Sequence, residues 1–154
     1  MTVNRRTALD DAIRRLYEVI SFSEGETPDW KGMRELFAPG ARITRVTPEA
    51  VDALDLRGFE AMFSELLDCG AVLSFFEFET ARRVELFGAV AHVLSSYETK
   101  RAPDSLTPFG RGINSIQLLW AGDRWSIVSL LWDEGLSAAA RKVEPLEVSY
   151  DGAA

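Results

Sequence analysis

Between residues 7 and 22 the apolar side chains Leu9, Ala12, Ile13, Leu16, Val19 and Ile20 recur every three or four positions, with Asp10, Asp11, Arg14, Arg15 and Glu18 between them. This period predicts a helix with one buried stripe, and Thr7 stands where a capping residue is expected. Ser23-Glu24-Gly25-Glu26 ends it. Thr27-Pro28 then offers a cap followed by proline at the first helical position. Trp30, Met33, Leu36 and Phe37 form the apolar stripe of that second helix, which Ala38-Pro39-Gly40 stops. Residues 41–46 read as a short strand in which Ile43 alternates with Arg42 and Thr44. Phe59, Met62, Phe63, Leu66 and Leu67 mark a third helix, with Gly70 just past its end.

Beyond Gly70 the pattern changes from helical to alternating. Four strand-like stretches follow, at about 72–87, 89–101, 111–121 and 124–134. Gly88 and Gly122-Asp123 signal short turns, whereas residues 101–110, with Pro103 and Pro108, form a longer connection. Helices come first and strands after, without βαβ alternation, which predicts an α+β fold: an antiparallel sheet with helices packed on one side. Residues 1–135 read as a single domain. Residues 136–154 are small, polar and weakly patterned, a tail read either as partly disordered or as an arm that docks a partner.

A two-residue turn at Gly122-Asp123 fixes the pairing on either side of it. Leu119 then faces Ser126, Gln117 faces Val128, Ser115 faces Leu130, Ile113 faces Trp132 and Arg111 faces Glu134, all on one side of the sheet. The other side carries Asn114, Ile116, Leu118 and Trp120 with Trp125, Ile127, Ser129, Leu131 and Asp133. Both sides are largely apolar, so one is expected to meet the helices and the other a second copy of the chain. The interface expected for that homodimer is Asn114, Ile116, Trp125, Ile127 and Leu131. In the preceding strand Val90, His92, Leu94, Ser96 and Glu98 share a side. A few polar groups among apolar ones is the composition of a ligand cavity.

Composition narrows the partners. The 154 residues hold 17 basic and 24 acidic side chains, a net charge of −7. Nucleic acids and anionic membranes demand a basic face, so neither is expected. Cys69 and His92 are each the only residue of their type. No intramolecular disulfide or structural zinc site can be built from them, and a reducing, cytoplasmic setting without metal or cofactor is expected. Thr7-Ala8-Leu9-Asp10-Asp11 is charged where a signal peptide needs an apolar stretch, and no segment approaches the length of a membrane span.

The order of elements, and the stretches Leu36-Phe37-Ala38 leading into Ala41-Arg42-Ile43, Ala91-His92-Val93-Leu94-Ser95-Ser96-Tyr97-Glu98, Arg111-Gly112-Ile113-Asn114-Ser115-Ile116-Gln117-Leu118, Asp123-Arg124-Trp125-Ser126-Ile127-Val128 and Leu131-Trp132-Asp133-Glu134, resemble the nuclear transport factor two-like superfamily. Its members include ketosteroid isomerase, scytalone dehydratase and the SnoaL-like polyketide cyclases. The resemblance covers roughly residues 7–135. It implies a strongly curved antiparallel sheet wrapped around three helices, a conical pocket and a dimer. It also implies that Tyr17 sits where ketosteroid isomerase has its oxyanion-hole tyrosine, and Trp132 where some isomerases have a pocket tryptophan. The isomerase's catalytic aspartate falls near Arg45, and its protonated carboxylic acid near Ser115 or Gln117. Steroid isomerisation needs both acids, so that chemistry is not expected.

The candidate site is therefore His92 and Tyr17 as catalytic groups, with Ser96, Glu98, Arg111, Ser115, Gln117 and Trp132 binding a ligand. His92 is the one side chain that titrates near neutrality unperturbed, although a histidine among Val and Leu is more often a packed one. Glu98 is six residues along the same strand, roughly 20 Å away, so the two cannot form a dyad. A tyrosine flanking a helical stripe is likewise more often packing. Two functions remain open: a dimeric module that binds a small apolar or cyclic molecule, and a cofactor-independent lyase, isomerase or cyclase with His92 as general base.

Overall fold

The computed structural model describes residues 2–134, so the 136–154 tail lies outside the described residues. Asn4 opens the first helix, α1 (Arg5–Ile20), its side chain accepting from the amides of Arg6 and Thr7. The helix thus begins before Thr7, because an asparagine three residues upstream already satisfies the free N–H groups of the first turn. Asp29, not Thr27, caps α2 (Trp30–Leu36) through Gly32 N–H at 2.9 Å. Arg15 of α1 holds the same carboxylate at 2.8 Å, so one side chain both starts α2 and ties it to α1.

The chain passes directly from α2 into β1 (Phe37–Val46). Pro39-Gly40, read from sequence as a break, lies within this strand at a bulge between Phe37 and Arg42, where Gly40 takes a positive φ of 76°. A turn at Thr47–Ala50 leads to β2 (Val51–Leu54), a strand too short for its alternation to stand out. Asp55 caps α3 (Leu56–Asp68), and Gly70 follows with φ 75° as expected for a helix end. Then come β3 (Phe76–Phe87), β4 (Val90–Lys100), β5 (Gly110–Trp120) and β6 (Trp125–Asp133).

The six strands form one open sheet in the order β2-β1-β6-β5-β4-β3. All neighbouring pairs are antiparallel except β1 with β6, which run parallel; the wholly antiparallel sheet expected from sequence is corrected there. The α+β class stands. Apolar side chains of the helices and of one sheet face form the core, with Leu9, Ile13, Val19, Val93, Ile116 and Ile127 fully enclosed.

The turn at Gly122-Asp123 forms where the sequence places it, pairing Trp120 with Trp125 and Leu119 with Ser126. After Leu118–Ile127 the register shifts by one: Gln117 faces Ser129, Ile116 faces Leu130 and Asn114 faces Trp132. Val128 is the extra residue of a β-bulge. A one-residue shift exchanges the two faces of a strand, so Trp125 and Ile127 point inward before the bulge, and Leu130 and Trp132 after it.

The expected dimer interface is corrected by the same observation. Ile116, Ile127, Trp125 and Asn114 are buried inside this one chain, and only Leu131 of the proposed set is exposed. Ile127→Ala should therefore act as a core truncation, lowering unfolding free energy by about 2–5 kcal/mol in a denaturant titration without altering the oligomeric state seen by light scattering. Dissociation without loss of stability would contradict this placement.

Candidate functional site

The inner face of the sheet does not close completely against the helices. A cavity of about 710 Å³ remains, within the range of small-molecule sites. Its walls are apolar: Leu16 and Ile20 from α1, Met33 from α2, Phe59, Met62, Phe63 and Leu66 from α3, and Phe37, Ile43 and Leu130 from the sheet. The aromatic side is a chain of ring contacts: Phe59 lies edge-to-face with Trp132 at 5.8 Å and tilted against Phe63 at 5.7 Å, and Phe63 lies edge-to-face with Phe75 at 5.7 Å. Glu77, Tyr97, Thr99 and Asn114 supply polar groups, and the exposed Glu49, Arg111 and Glu134 mark its opening.

Glu77 is the decisive residue. A bulge at Thr80 places Glu77, Glu79 and Arg82 on the inner face of β3, opposite Thr99, Tyr97 and Ser95. Glu79 meets a cation there: its Oε1 takes Arg82 Nη2 at 2.6 Å, and Arg82 Nη1 continues to Asp10 of α1 at 2.7 Å. Glu77 meets none. Burial pushes its carboxyl up to about 8, the charge of Glu134 adds to this, and a hydrogen bond from the Asn114 amide opposes it. A carboxyl poised near neutrality can both take and give a proton.

Tyr97 stands beside it. Burial, then the negative charges of Glu77 and Glu134, hold its phenol above the ordinary range, so it remains a neutral donor. Among the described residues nothing hydrogen-bonds the Tyr97 hydroxyl. Its phenol end lies beside Gly112, where any Cβ would collide with it and would also fall 2.6 Å from the Asp133 carbonyl oxygen. Glycine at 112 thus makes room for Tyr97.

The residues selected from sequence are distributed differently. Trp132 lines the cavity, its indole Nε1 donating to Glu134 Oε1 at 3.3 Å. Arg111 is at the opening, paired with Glu98 at 3.2 Å; Glu98 itself is not in the lining. His92 lies on the outer face, away from the helices, between Glu85 at 3.2 Å and Ser115 at 3.0 Å. Ser115 and Gln117 share that face, and Ser96 is covered there by the β3 bulge, its hydroxyl 2.8 Å from Thr80 Oγ1. The expectation that His92, Ser96, Glu98, Ser115 and Gln117 line the cavity is therefore corrected; the opposite set of alternating positions does so. Tyr17 sits behind the wall, not in it. Its hydroxyl is 2.6 Å from Ser95 Oγ and accepts from Asn114 Nδ2 at 3.1 Å.

Sequence reasoning missed Glu77 because Phe76-Glu77-Phe78-Glu79 alternates like a strand with its phenylalanines inside. The reverse occurs: Phe78 is exposed, while Glu77 is half-buried and lines the cavity. Among the described residues no cluster of His, Cys, Asp and Glu is arranged to hold a metal ion, and no helix is long and apolar enough to cross a membrane.

No protein-family model and no curated protein matches the chain. Solved structures do. A cystatin-like protein of unknown function from Nostoc punctiforme is 12% identical, with a TM-score of 0.65 over 86% of this chain and 92% of its own. An NTF2-like protein (nuclear transport factor two-like) from Cytophaga hutchinsonii is 11% identical, with a TM-score of 0.65 over 86% and 99%. A Streptomyces avermitilis protein of the NTF2-like family, provisionally assigned as a dehydratase, is 15% identical, with a TM-score of 0.62 over 85% and 96%. The chain has the NTF2-like, cystatin-like fold. At these identities the NTF2-like likeness speaks for architecture, and the chemistry rests on the side chains just described.

Glu77 also gives a test in stability. Its folded pKa lies above its unfolded one, so the native state holds a proton that the unfolded chain releases. The contribution is fully present below about 4.5 and is lost progressively as pH rises to about 8. Glu77→Gln removes that loss. We expect its melting temperature to exceed that of the parent increasingly from pH 5 to pH 8; a constant difference across this range would show an ordinary carboxylate.

Proposed function

We propose that this NTF2-like chain binds a small, largely apolar molecule carrying a carbonyl-type oxygen, and that Glu77 exchanges a proton with it. The observation that carries this reading is the Glu77 carboxyl, which has no cationic partner among the described residues, is pushed up to about 8 by burial and lines an apolar cavity of about 710 Å³. The reaction class is cofactor-independent isomerisation or elimination. The Glu77 carboxylate takes a proton from a carbon next to the carbonyl, the C–H pair becomes a C=C bond and the carbonyl π pair moves onto oxygen. Tyr97 donates a hydrogen bond to the developing oxyanion. Return of the proton from Glu77 to a different carbon of a conjugated enolate completes an isomerisation; collapse of the enolate to a C=C bond with cleavage of a β C–O bond, the departing oxygen taking the proton from Glu77, completes an elimination. The aromatic wall of Phe59, Phe63 and Trp132 orients a flat ring.

A panel of apolar ketones and enones, followed by Trp132 fluorescence for binding and by solvent-deuterium incorporation for proton exchange, tests this. Glu77→Gln should lower exchange about 10²–10⁴-fold while leaving affinity within about tenfold. The rate should rise with pH toward about 8 as the carboxylate forms, and His92→Ala should change neither quantity. Binding without exchange in the parent protein would make the chain a carrier of such molecules and not an enzyme.

The surface we propose for a homodimer is the outer sheet face, where Leu119 and Leu131 are exposed among Leu94, Ile113 and Val128. Leu131→Glu should then halve the mass measured by light scattering at micromolar concentration, with thermal stability of the monomer retained. An unchanged mass would rule this face out.

A further inference from the structure

Four side chains join the cavity to the α1–β3 seam, and their hydrogen bonds can run in only one direction. Both oxygens of Glu79 accept: Oε1 from Arg82 and Oε2 from the Ser95 hydroxyl. An ion-paired carboxylate has no proton to give, so Ser95 must donate to it. The single proton of Ser95 is thereby used, and Tyr17, 2.6 Å away, must donate to Ser95. The Tyr17 oxygen is then left only as an acceptor. Asn114, in contact with it at 3.1 Å, must therefore present its –NH2 and not its carbonyl. The orientation of an amide is normally a matter of choosing between two similar ends; here the fixed charge of Glu79 makes the choice.

We infer that Ser95 and Glu79 are positioning residues for the cavity, polarising the chain through Tyr17 so that Asn114 is held with its N–H groups, and not its carbonyl, toward Glu77. An amide does not pass protons along, so the chain orients and does not conduct. Its effect is to offer the Glu77 carboxylate a donor in a cavity that otherwise disfavours the charge. With the amide reversed, Asn114 would turn a carbonyl oxygen to Glu77, and only the protonated carboxyl could hydrogen-bond to it. The other groups facing Glu77 do not do this job. Tyr17 on α1 is occupied by Ser95, Glu134 beyond β6 repels, and Arg45 on β1 is bound to Glu134 by two hydrogen bonds at 2.9 and 3.1 Å. Tyr97 on β4 is the neutral donor assigned to the ligand, and α3 faces the cavity with apolar side chains.

This inference rests on the reading of Glu77 as the proton-exchanging group, and it is tested without any substrate. The titration of Glu77 is followed by carboxyl 13C NMR on the full chain labelled at glutamate, with Glu77→Gln identifying the signal. Ser95→Ala removes the acceptor of the Tyr17 proton, and the isosteric Glu79→Gln can donate to Ser95, so each releases the direction of the chain. We expect either substitution to move the Glu77 midpoint upward by about one pH unit or more, the size of losing one hydrogen bond to a charged group. Ile127→Val, a core change elsewhere on the inner face, should leave it in place. If Ser95→Ala fails to fold, Glu79→Gln decides alone. A parent midpoint in the ordinary carboxylate range would overturn the reading of Glu77 itself. A parent midpoint near 8 that neither variant moves, or that Ile127→Val moves equally, would overturn the positioning role and leave that reading intact.

Discussion

Two glutamates on the inner face of one strand set the terms for this molecule. A charge removed from water must find a partner or lose its charge, and β3 presents both solutions side by side. Glu79 is matched by Arg82, whose guanidinium also binds Asp10 of α1. This cluster fastens the first helix across the sheet, and its hydrogen bonds reach inward through Ser95 and Tyr17. Glu77, two residues away on the same face, meets an aromatic cavity, a tyrosine and an amide. The seam is therefore a structural fastening at one end and a reactive environment at the other.

The two β-bulges decide which side chains enter the cavity. Thr80 on β3 is skipped in the pairing with β4, so that the inward sequence runs Glu77, Glu79, Arg82 and Val84 in place of a strict alternation. Val128 on β6 does the same against β5, turning Leu130 and Trp132 inward. Without the second bulge Trp132 would face outward, and the wall it makes with Phe59 would be absent. Parallel pairing of β1 with β6 then brings Ile43 beside Leu130 and Arg45 beside Trp132, which sets the Arg45–Glu134 pair at the opening.

Much of this architecture was legible in the residues. The stripe of α1, the aromatic and aliphatic stripe of α3, the turn at Gly122 and the helices-then-strands order each follow from periodicity and local turn chemistry, and together they gave the α+β class. The face assignment was not legible, for a definite reason. Ile127-Val128 and Leu130-Leu131 are apolar on both sides of the strand, so the skipped Val128 leaves no mark in the pattern. Nor could the pattern reveal Glu77: alternation favours burying Phe76 and Phe78, and only tertiary packing against α1 and α3 reverses that preference. The two tyrosines divide similarly. Tyr17 drew attention by its place on the helix but spends its proton on Ser95, whereas Tyr97, which with Ser95, Asn114 and Ser129 would enter the cavity only in the opposite register, lines it.

His92 shows why residue type is a weaker guide to chemistry than surroundings. Histidine was singled out for an intrinsic pKa near neutrality, yet it lies on the outer face with Glu85 and Ser115 on its two ring nitrogens. Glutamate begins far from neutrality and is brought there by position: burial disfavours its charge, Glu134 disfavours it further, and the Asn114 amide limits the rise. Of these influences, burial acts on any group placed there, but the amide acts only while it is turned the right way. A proton acceptor must be a carboxylate for part of the time, and a site built from burial alone would keep Glu77 neutral and inert. The opposing donor is what leaves the residue balanced between its two forms, so the orientation of one asparagine matters as much to this cavity as the acid it serves.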